Sequence, residues 1–415
     1  MIIRRTPRLD LTYCLNIHPG ETWRENFAAI RRDALRVRDL VAAGKPFGLG
    51  LRLSARAAAA LADPRTLAEL RAFLDAHGLY IFTINGFPYG RFHGARVKEK
   101  VYAPDWRTKA RRDYTIALAD ILAALVPEGC TGSISTVPGS YKPWIKSDAD
   151  VRAMAHNLAD VAAHCARIRD ARGADIALAL EPEPDCFIET AGEAIDFLTG
   201  PLRALGAARL AKAHRFGKAG ARAALRRHIG ICLDTAHSAV EFEQPLLALM
   251  LLSRAGIRIP KVQVSAALRA YPDAATIDRL RPFCDPVYLH QVRVRTAAGR
   301  IAAFRDLPDA IAARTRVWDE SGRRPDEEWR IHFHVPLFFE GDERLSSTSD
   351  LLDRRVMRVL RTALAPHLEI ETYTFSVLPE ELRAADVAAG VAREFAWLLA
   401  RGGGRWQPLA GTEVT

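Results

Sequence analysis

The chain has 415 residues, 49% hydrophobic and 26% charged, with a formal net charge of +10. That balance describes a soluble globular protein long enough to bury a sizeable core, as one large α/β barrel or two ordinary domains. The sequence shows no signal-peptide core and no uninterrupted apolar stretch near 18 residues, and its six cysteines form no CxxC pair, so a leader, a membrane span, a disulfide framework and a cysteine zinc site are all disfavoured and a cytoplasmic protein is expected.

Taken in chain order, short apolar runs alternate with long helical patterns. Strands are expected at Leu11–Ile17, Phe47–Leu53, Tyr80–Gly86, Thr131–Val137, Asp175–Glu181, His228–Asp234, Pro260–Ala266 and Leu368–Phe375. Between them lie stretches such as "TWRENFAAIRRDALRVRDLVAAG" and "KARRDYTIALADILAAL", with apolar residues recurring at three and four and glycine often closing the pattern. Near-continuous apolar strands imply burial on both faces, hence a parallel sheet covered by helices. Eight such units predict a (β/α)8 TIM barrel. An open doubly wound sheet is the rival, but neither "LRLSARAAAA" nor "NIHPGETW" fits its Gly-rich phosphate turn.

We expect a single domain over residues 1–400, with an insertion at 268–330 between strands 7 and 8 that caps the barrel mouth. Within it, "YLHQVRVRTAAGRIAAF" reads as a hairpin turning at Ala298-Gly299, and "EWRIHFHVPLFF" adds an extended piece. The Gly-rich end, 401–415, is expected to be a flexible tail apart from Trp406. The positive charge favours acidic partners, whether phosphorylated metabolites, nucleic acid or an anionic membrane surface. The most basic run, Arg203 to His228, has almost no aromatic residues on which bases could stack, so nucleic acid is not the expected partner. This run reads as a solvated helical insertion, with an anion-binding or lipid-facing surface as the alternative.

Strands in a barrel end at one face, so charged groups at strand ends meet there. Glu181 closes the fifth strand, Asp234 the sixth, Gln263 lies late in the seventh and Glu371 near the end of the eighth. Crowded carboxylates repel unless protonated or bridged by a cation, which points to one divalent metal held by Glu181, Asp234, Gln263 and Glu371. His237, three residues past Asp234, is placed to ligate the metal or hold a substrate hydroxyl. Each residue has a plainer alternative: a rim salt bridge for Glu181 or Glu183, a helix cap for Asp234, backbone bonding for Gln263. Glu369 shares a face with Glu371 but lies deeper, and His332 and His334 share one face of a strand.

The segments "EPEPDCFIET", "LDTAHSAVEFE", "KVQVSAALR" and "EIETY" together resemble the xylose isomerase-like barrels, which include sugar isomerases, epimerases and endonuclease-IV-type repair enzymes. In the epimerase branch a glutamate, aspartate, histidine and glutamate at the ends of strands five to eight bind one divalent metal. Their positions match Glu181, Asp234, Gln263 and Glu371, with glutamine in place of histidine. The resemblance also implies a substrate-contacting arginine at Arg269, and Glu189 lies two residues late for a family glutamate. Over nearly all of its length, with "LTYCLNIHPGETW", "INGFPYGRFHG", "YLHQV" and "IHFHVPLF", the chain resembles the EboE family, assigned to metabolite traffic in bacteria and to making and exporting a secondary metabolite.

The resemblance implies a divalent-metal-dependent isomerase or epimerase acting on a polyol or sugar-like, polyhydroxylated compound, phosphorylated substrates included, with other proteins of the same gene cluster at the membrane as partners. Glu181 or Glu371 would double as ligand and proton-transfer base, with His237 and Arg269 gripping oxygens. His18, Asn85, His290 and His334 would complete the substrate pocket. An amide is a poorer ligand than imidazole for zinc, which favours manganese or magnesium. Two alternatives stand: a non-catalytic metabolite binder serving membrane-bound partners, and an endonuclease-IV-like repair enzyme.

Overall fold

The computed structural model describes residues 1–94, 96–321, 326–376, 378–380, 386–403 and 406–409. Its strands in chain order are β1 Ile2–Arg4, β2 Leu9–Tyr13, β3 Phe47–Arg52, β4 Leu79–Asn85, β5 Thr131–Thr136, β6 Asp175–Leu180, β7 Ile229–Asp234, β8 Lys261–Val264, β9 Ala266–Ala270, β10 Val292–Thr296, β11 Ile301–Phe304, β12 Glu327–Val335, β13 Leu345–Ser347 and β14 His367–Ile370. Nine of them form one sheet in the order β1-β2-β14-β8-β7-β6-β5-β4-β3, parallel throughout except for the β1–β2 pair. A bridge from Cys14 to Gly50 closes it into a barrel, and the Thr12 hydroxyl donates to the Gly48 carbonyl across the same seam at 2.7 Å.

Each of the eight expected strands has its counterpart here, because strands buried on both faces read as unbroken apolar runs. The first and last are shorter than their patterns suggested. After the last rung, Cys14 N–H to the Ile370 carbonyl, both chains leave the sheet for 3₁₀ turns at Leu15–Ile17 and Tyr373–Ser376. Glu371 therefore stands beyond its strand, in the bowl. The helices begin and end on local chemistry. Thr22 and Glu25 cap each other reciprocally, and the 25-residue helix Asp148–Arg172 stops at Gly173, whose φ of 72° suits a residue without Cβ.

The barrel interior is partly polar. Lys261 and Glu369, both fully buried, pair at 2.5 Å, and Gly50 leaves room for them: a Cβ there would lie 1.7 Å from a Glu369 oxygen. Glu369 is thereby committed to the barrel centre.

A second, antiparallel sheet, in the order β11-β10-β12-β9-β13, grows from the end of β8. Only Ser265 separates β8 from β9, so this sheet spans 266–347 rather than 268–330. Its β10–β11 hairpin turns through Gly299 at φ 76°. The basic run forms a π-turn at Leu202–Gly206 and the helices Ala207–His214 and Lys218–His228, with Leu202, Leu210, Ala221 and Leu225 buried. At the C-terminus the last helix runs to Arg401. Trp406 is buried, and Leu409 N–H donates to the Ile2 carbonyl at 2.9 Å, so residues 406–409 are docked. The remaining tail positions, 404, 405 and 410–415, lie outside the described residues.

Candidate metal centre

The groups at the C-terminal ends of the barrel strands converge as barrel closure requires. Among the described residues, three overlapping sets bring their ligand atoms within 4.8 Å of one another: Glu181, Asp234 and His237; Asp234, His334 and Glu371; and His237, His332 and His334. All of these residues are buried. Gln263 lies beside Asp234 in the β7–β8 register and beside Glu369 in the β8–β14 register.

Asp234 divides its work between two oxygens. Oδ1 accepts from the amides of Ala236 and His237 at 2.7 and 2.9 Å, capping the helix Thr235–Val240, and from the Ser265 hydroxyl at 2.7 Å. Oδ2 is buried with no hydrogen-bond partner. The helix-cap and ligand readings of Asp234 are thus compatible. Burial pushes this carboxyl up, but His237, His334, the capping amide and Ser265 outweigh it, leaving it below the ordinary carboxylate range.

Glu181 and Glu371 move the other way. Burial, then the neighbouring carboxylates, hold both well above the ordinary value for glutamate. Glu371 accepts at Oε1 from the amides of Asn16, at 2.7 Å, and Asn85, at 3.0 Å. Glu181 Oε2 has no partner.

The three imidazoles are oriented by their second nitrogens. His237 Nδ1 lies 3.0 Å from the Pro182 carbonyl, His334 Nδ1 2.8 Å from the Glu371 carbonyl, and His332 Nδ1 2.7 Å from Gln291 Oε1. Carbonyl oxygens only accept, so each Nδ1 carries the proton and each Nε2 presents a lone pair. The Nε2 atoms of His332 and His334 are buried and unpartnered. Burial first, then the neighbouring imidazoles, keeps His332 neutral, and burial holds His237 down to about 4.

Does this constellation fit a cation? Orphaned buried acceptors at Glu181 Oε2, Asp234 Oδ2, Gln263 Oε1, His332 Nε2 and His334 Nε2 each lack the donor that burial demands, and one divalent ion would serve several of them. The residues therefore fit the group.

Above them lies a cavity with about 540 Å³ of empty volume, open solvent at its mouth included. Glu181, Glu183, Glu371, His237, His332, Asn16, Asn85 and Tyr102 line its polar side. Phe92, Tyr288 and Tyr373, with ring centroids 5.1 to 5.5 Å apart, pack together on its apolar side. Burial pushes Glu183 up to about 8, against hydrogen bonds from the Tyr102 hydroxyl, at 2.7 Å, and Gln291. Tyr102 in turn accepts from Gln291 Nε2 at 2.9 Å, linking Glu183 to the acceptor of His332.

Not every expected pocket residue is here. His18 is held by the Tyr13 hydroxyl at 2.9 Å and faces Asp33 at 3.5 Å. Arg269 is forked onto Asp350 at 2.7 and 3.0 Å. His290 bonds Asp285 at 2.6 Å and the His332 carbonyl at 2.9 Å. None of the three lines the cavity, so their expected substrate contacts are corrected to structural pairings. Asn85 does line it, with its amide committed to Glu371, and His334 belongs with the candidate ligands rather than the substrate wall. Glu189 pairs with Lys142 and Arg293. Sequence reading passed over Tyr102, Gln291, Asn16 and the aromatic trio, and left Glu183 as a rim acid. The second glutamate of "EPEP" was the available signal for Glu183; Tyr102, on a 3₁₀ turn, gave none.

The model of the Xylose isomerase-like TIM barrel family matches residues 49–284, more than half of the chain. That span holds Glu181, Asp234, His237 and Gln263, while His332, His334 and Glu371 lie beyond it. Among solved structures, the probable 3-DHS dehydratase AsbF involved in petrobactin synthesis from Bacillus anthracis is 15% identical, covering 94% of this chain and 98% of its own, with a TM-score of 0.46. A xylose isomerase domain protein from Planctomyces limnophilus is 14% identical over 85% and 88%, with a TM-score of 0.45. The IOLI protein with a binding zinc atom is 14% identical over 62% and 73%, with a TM-score of 0.36. No curated protein matches the chain.

Proposed function

Because the chain belongs to the Xylose isomerase-like TIM barrel family, we propose that it is a divalent-metal-dependent isomerase or epimerase acting on a polyhydroxylated small molecule. The observation that carries this reading is the set of unpartnered, buried acceptors from β7, β8, β12 and the segment after β6, of which Glu181 and His332 line the cavity. Glu181, Asp234, Glu371 and the imidazoles of His237, His332 and His334 would hold the ion, with Gln263 at its flank. Imidazole nitrogens added to carboxylates move the donor set toward zinc and away from the magnesium or manganese that the glutamine alone suggested. When bound, such an ion would polarise a carbonyl and an adjacent hydroxyl of the substrate.

The chain's own groups supply the rest. Glu181 would serve as the base that moves a proton at a substrate carbon, and its raised proton affinity suits a carboxylate that must both take the proton and release it. Asn16 and Asn85 fix Glu371 Oε1, so that carboxylate keeps one orientation. Glu183, still protonated near neutrality, can donate to a substrate oxygen from the cavity wall, and Tyr102 holds it there. Phe92, Tyr288 and Tyr373 offer ring faces to the C–H side of a polyol and keep bulk water from the reacting carbon. A role in a secondary-metabolite pathway rests on the EboE resemblance and belongs to the same proposal.

The test is exchange of a substrate C–H with solvent deuterium across a panel of ketoses and aldoses, free and phosphorylated, read by mass spectrometry. Exchange that requires a divalent ion and vanishes in Glu181→Gln is the expected result. Tight binding of a panel member with no exchange would favour a non-catalytic binder, and cleavage at abasic DNA would favour the repair-enzyme alternative; either overturns the proposal.

A further inference from the structure

The basic run and its neighbourhood take no part in the site just described. They lie at the other end of the barrel. A groove with about 800 Å³ of empty volume opens beside Ile229, the first residue of β7, and Arg258, which precedes β8. Its floor includes Leu202, Leu225 and Ile257, its walls carry Arg203, Arg222 and Arg226, and no carboxylate lines it. Those three guanidinium groups are exposed and have no ion-pair partner among the described residues, whereas Arg209 and Arg227 nearby are paired with Asp160 and Asp175.

The groove continues, through Ala255 and Gly256, into the end of the helix Pro245–Arg254. That helix buries Ala248, Leu249 and Leu252 against the barrel. On its other side, Leu247, Met250 and Leu251 are 56%, 40% and 48% exposed, three of the six large hydrophobic side chains exposed among the described residues. Their spacing of three and four puts them on one stripe. Arg254 ends the stripe, and the adjoining helix Arg354–Leu360 adds Arg354 and Arg358, exposed and without an ion-pair partner among the described residues.

We propose that this face docks on an anionic lipid surface. An apolar helical stripe lying flat, rimmed by long cationic side chains, is the arrangement by which a protein rests in a bilayer interface: leucines and methionine enter the acyl boundary while the guanidinium groups stay with the headgroups. A second copy of the chain would bring the same unpaired arginines and a further net charge of +10 against this face. A protein partner would more often be met with aromatic anchors, and the stripe has none. Because the groove sits at the N-terminal ends of the strands and the candidate metal centre at their C-terminal ends, docking leaves the cavity mouth turned away from the membrane. No described helix is long and apolar enough to cross one.

Sedimentation of the full chain with vesicles tests this. Binding to phosphatidylcholine vesicles containing phosphatidylglycerol, weakened by salt and absent from phosphatidylcholine alone, is expected. Arg222→Glu with Arg226→Glu, and separately Leu247→Ser with Leu251→Ser, should each lower the affinity at least about tenfold while leaving circular dichroism and bound metal unchanged. Failure to bind the anionic vesicles overturns the proposal. So does a leucine pair without effect, since the arginines would then serve a soluble anion such as inorganic phosphate. Equal affinity for polyglutamate, or a solution dimer that the leucine pair dissolves, would assign the face to an acidic protein or to a second copy and would also overturn it.

Discussion

Replacing Glu181 with glutamine should stabilise the metal-free protein and destabilise the metal-loaded one. The ligand atoms of Glu181 and Asp234 lie within 4.8 Å. At an effective dielectric of about 20, two unit charges at that separation repel by about 3 kcal/mol. The metal-free fold must either bear that repulsion or keep a proton that solvent would remove from the unfolded chain, and glutamine of nearly the same shape removes the conflict. Lys261 already offsets part of it, so a gain of about 1 to 2 kcal/mol near pH 8 is expected. With the ion bound, the same substitution deletes a charged ligand. A 100-fold loss of affinity removes about 2.7 kcal/mol of the stabilisation that saturating metal provides. Guanidinium unfolding of wild type and variant, in chelator and in excess divalent ion, reads both signs. A variant that loses stability equally in both conditions would refute the reasoning, because Glu181 would then be an ordinary paired carboxylate.

Lys261→Met leaves Glu369 buried without its partner and should cost about 3 to 5 kcal/mol by chemical denaturation; an unchanged midpoint would mean that the pair is not essential at the barrel centre. Gln263→Leu removes a buried amide whose two polar atoms have no partner, so the metal-free variant should be as stable as wild type or up to about 2 kcal/mol more so, while a chelator competition shows weaker metal binding. The stability of the metal-free protein should be highest between about pH 4.5 and 6.5. His18 and His237, held down to about 4, and His367, to about 3, favour the fold above the ordinary histidine value near 6.5 and withdraw that stability as pH falls. Glu183, raised to about 8, and Glu241 and Glu394, raised to about 7, favour the fold below the ordinary glutamate value and withdraw it as pH rises. A denaturation midpoint that climbs steadily to pH 9 would contradict these assignments.

The barrel was legible because its signal is local: runs such as "DIALALE" and "HIGICLD" are buried on both faces wherever they pair. Glu181 and Asp234 were legible for a related reason, since a charged residue that ends a fully apolar strand must go to the open end of the barrel. Residues whose partner is chosen by tertiary position were not. His18, Arg269 and His290 carry the right chemistry for a pocket, yet each is claimed by an aspartate, Asp33, Asp350 or Asp285, that no sequence spacing identifies. The extent of the second sheet was hidden by the single residue between β8 and β9, which merges two strands of different sheets into one apolar run.

That same junction explains how a glutamine can stand at the end of β8 without emptying the centre of imidazoles. Ser265 is fixed on both sides: its hydroxyl donates to Asp234 Oδ1 at 2.7 Å and accepts from the Ala236 amide at 3.0 Å, while its backbone exchanges hydrogen bonds with the Thr235 hydroxyl at 2.7 and 2.9 Å. The angle at which β9 leaves the barrel is thus set by the residue that caps the His237 helix. β12 pairs with β9, and its bulge between Ile331 and His334 falls where the two histidines enter the cluster. Asp234, His237, His332 and His334 are therefore positioned through one short hydrogen-bonded path rather than by independent loops. The second sheet belongs to the candidate metal centre as fully as the barrel does, and its histidines offer nitrogen atoms there that the barrel's seventh strand does not.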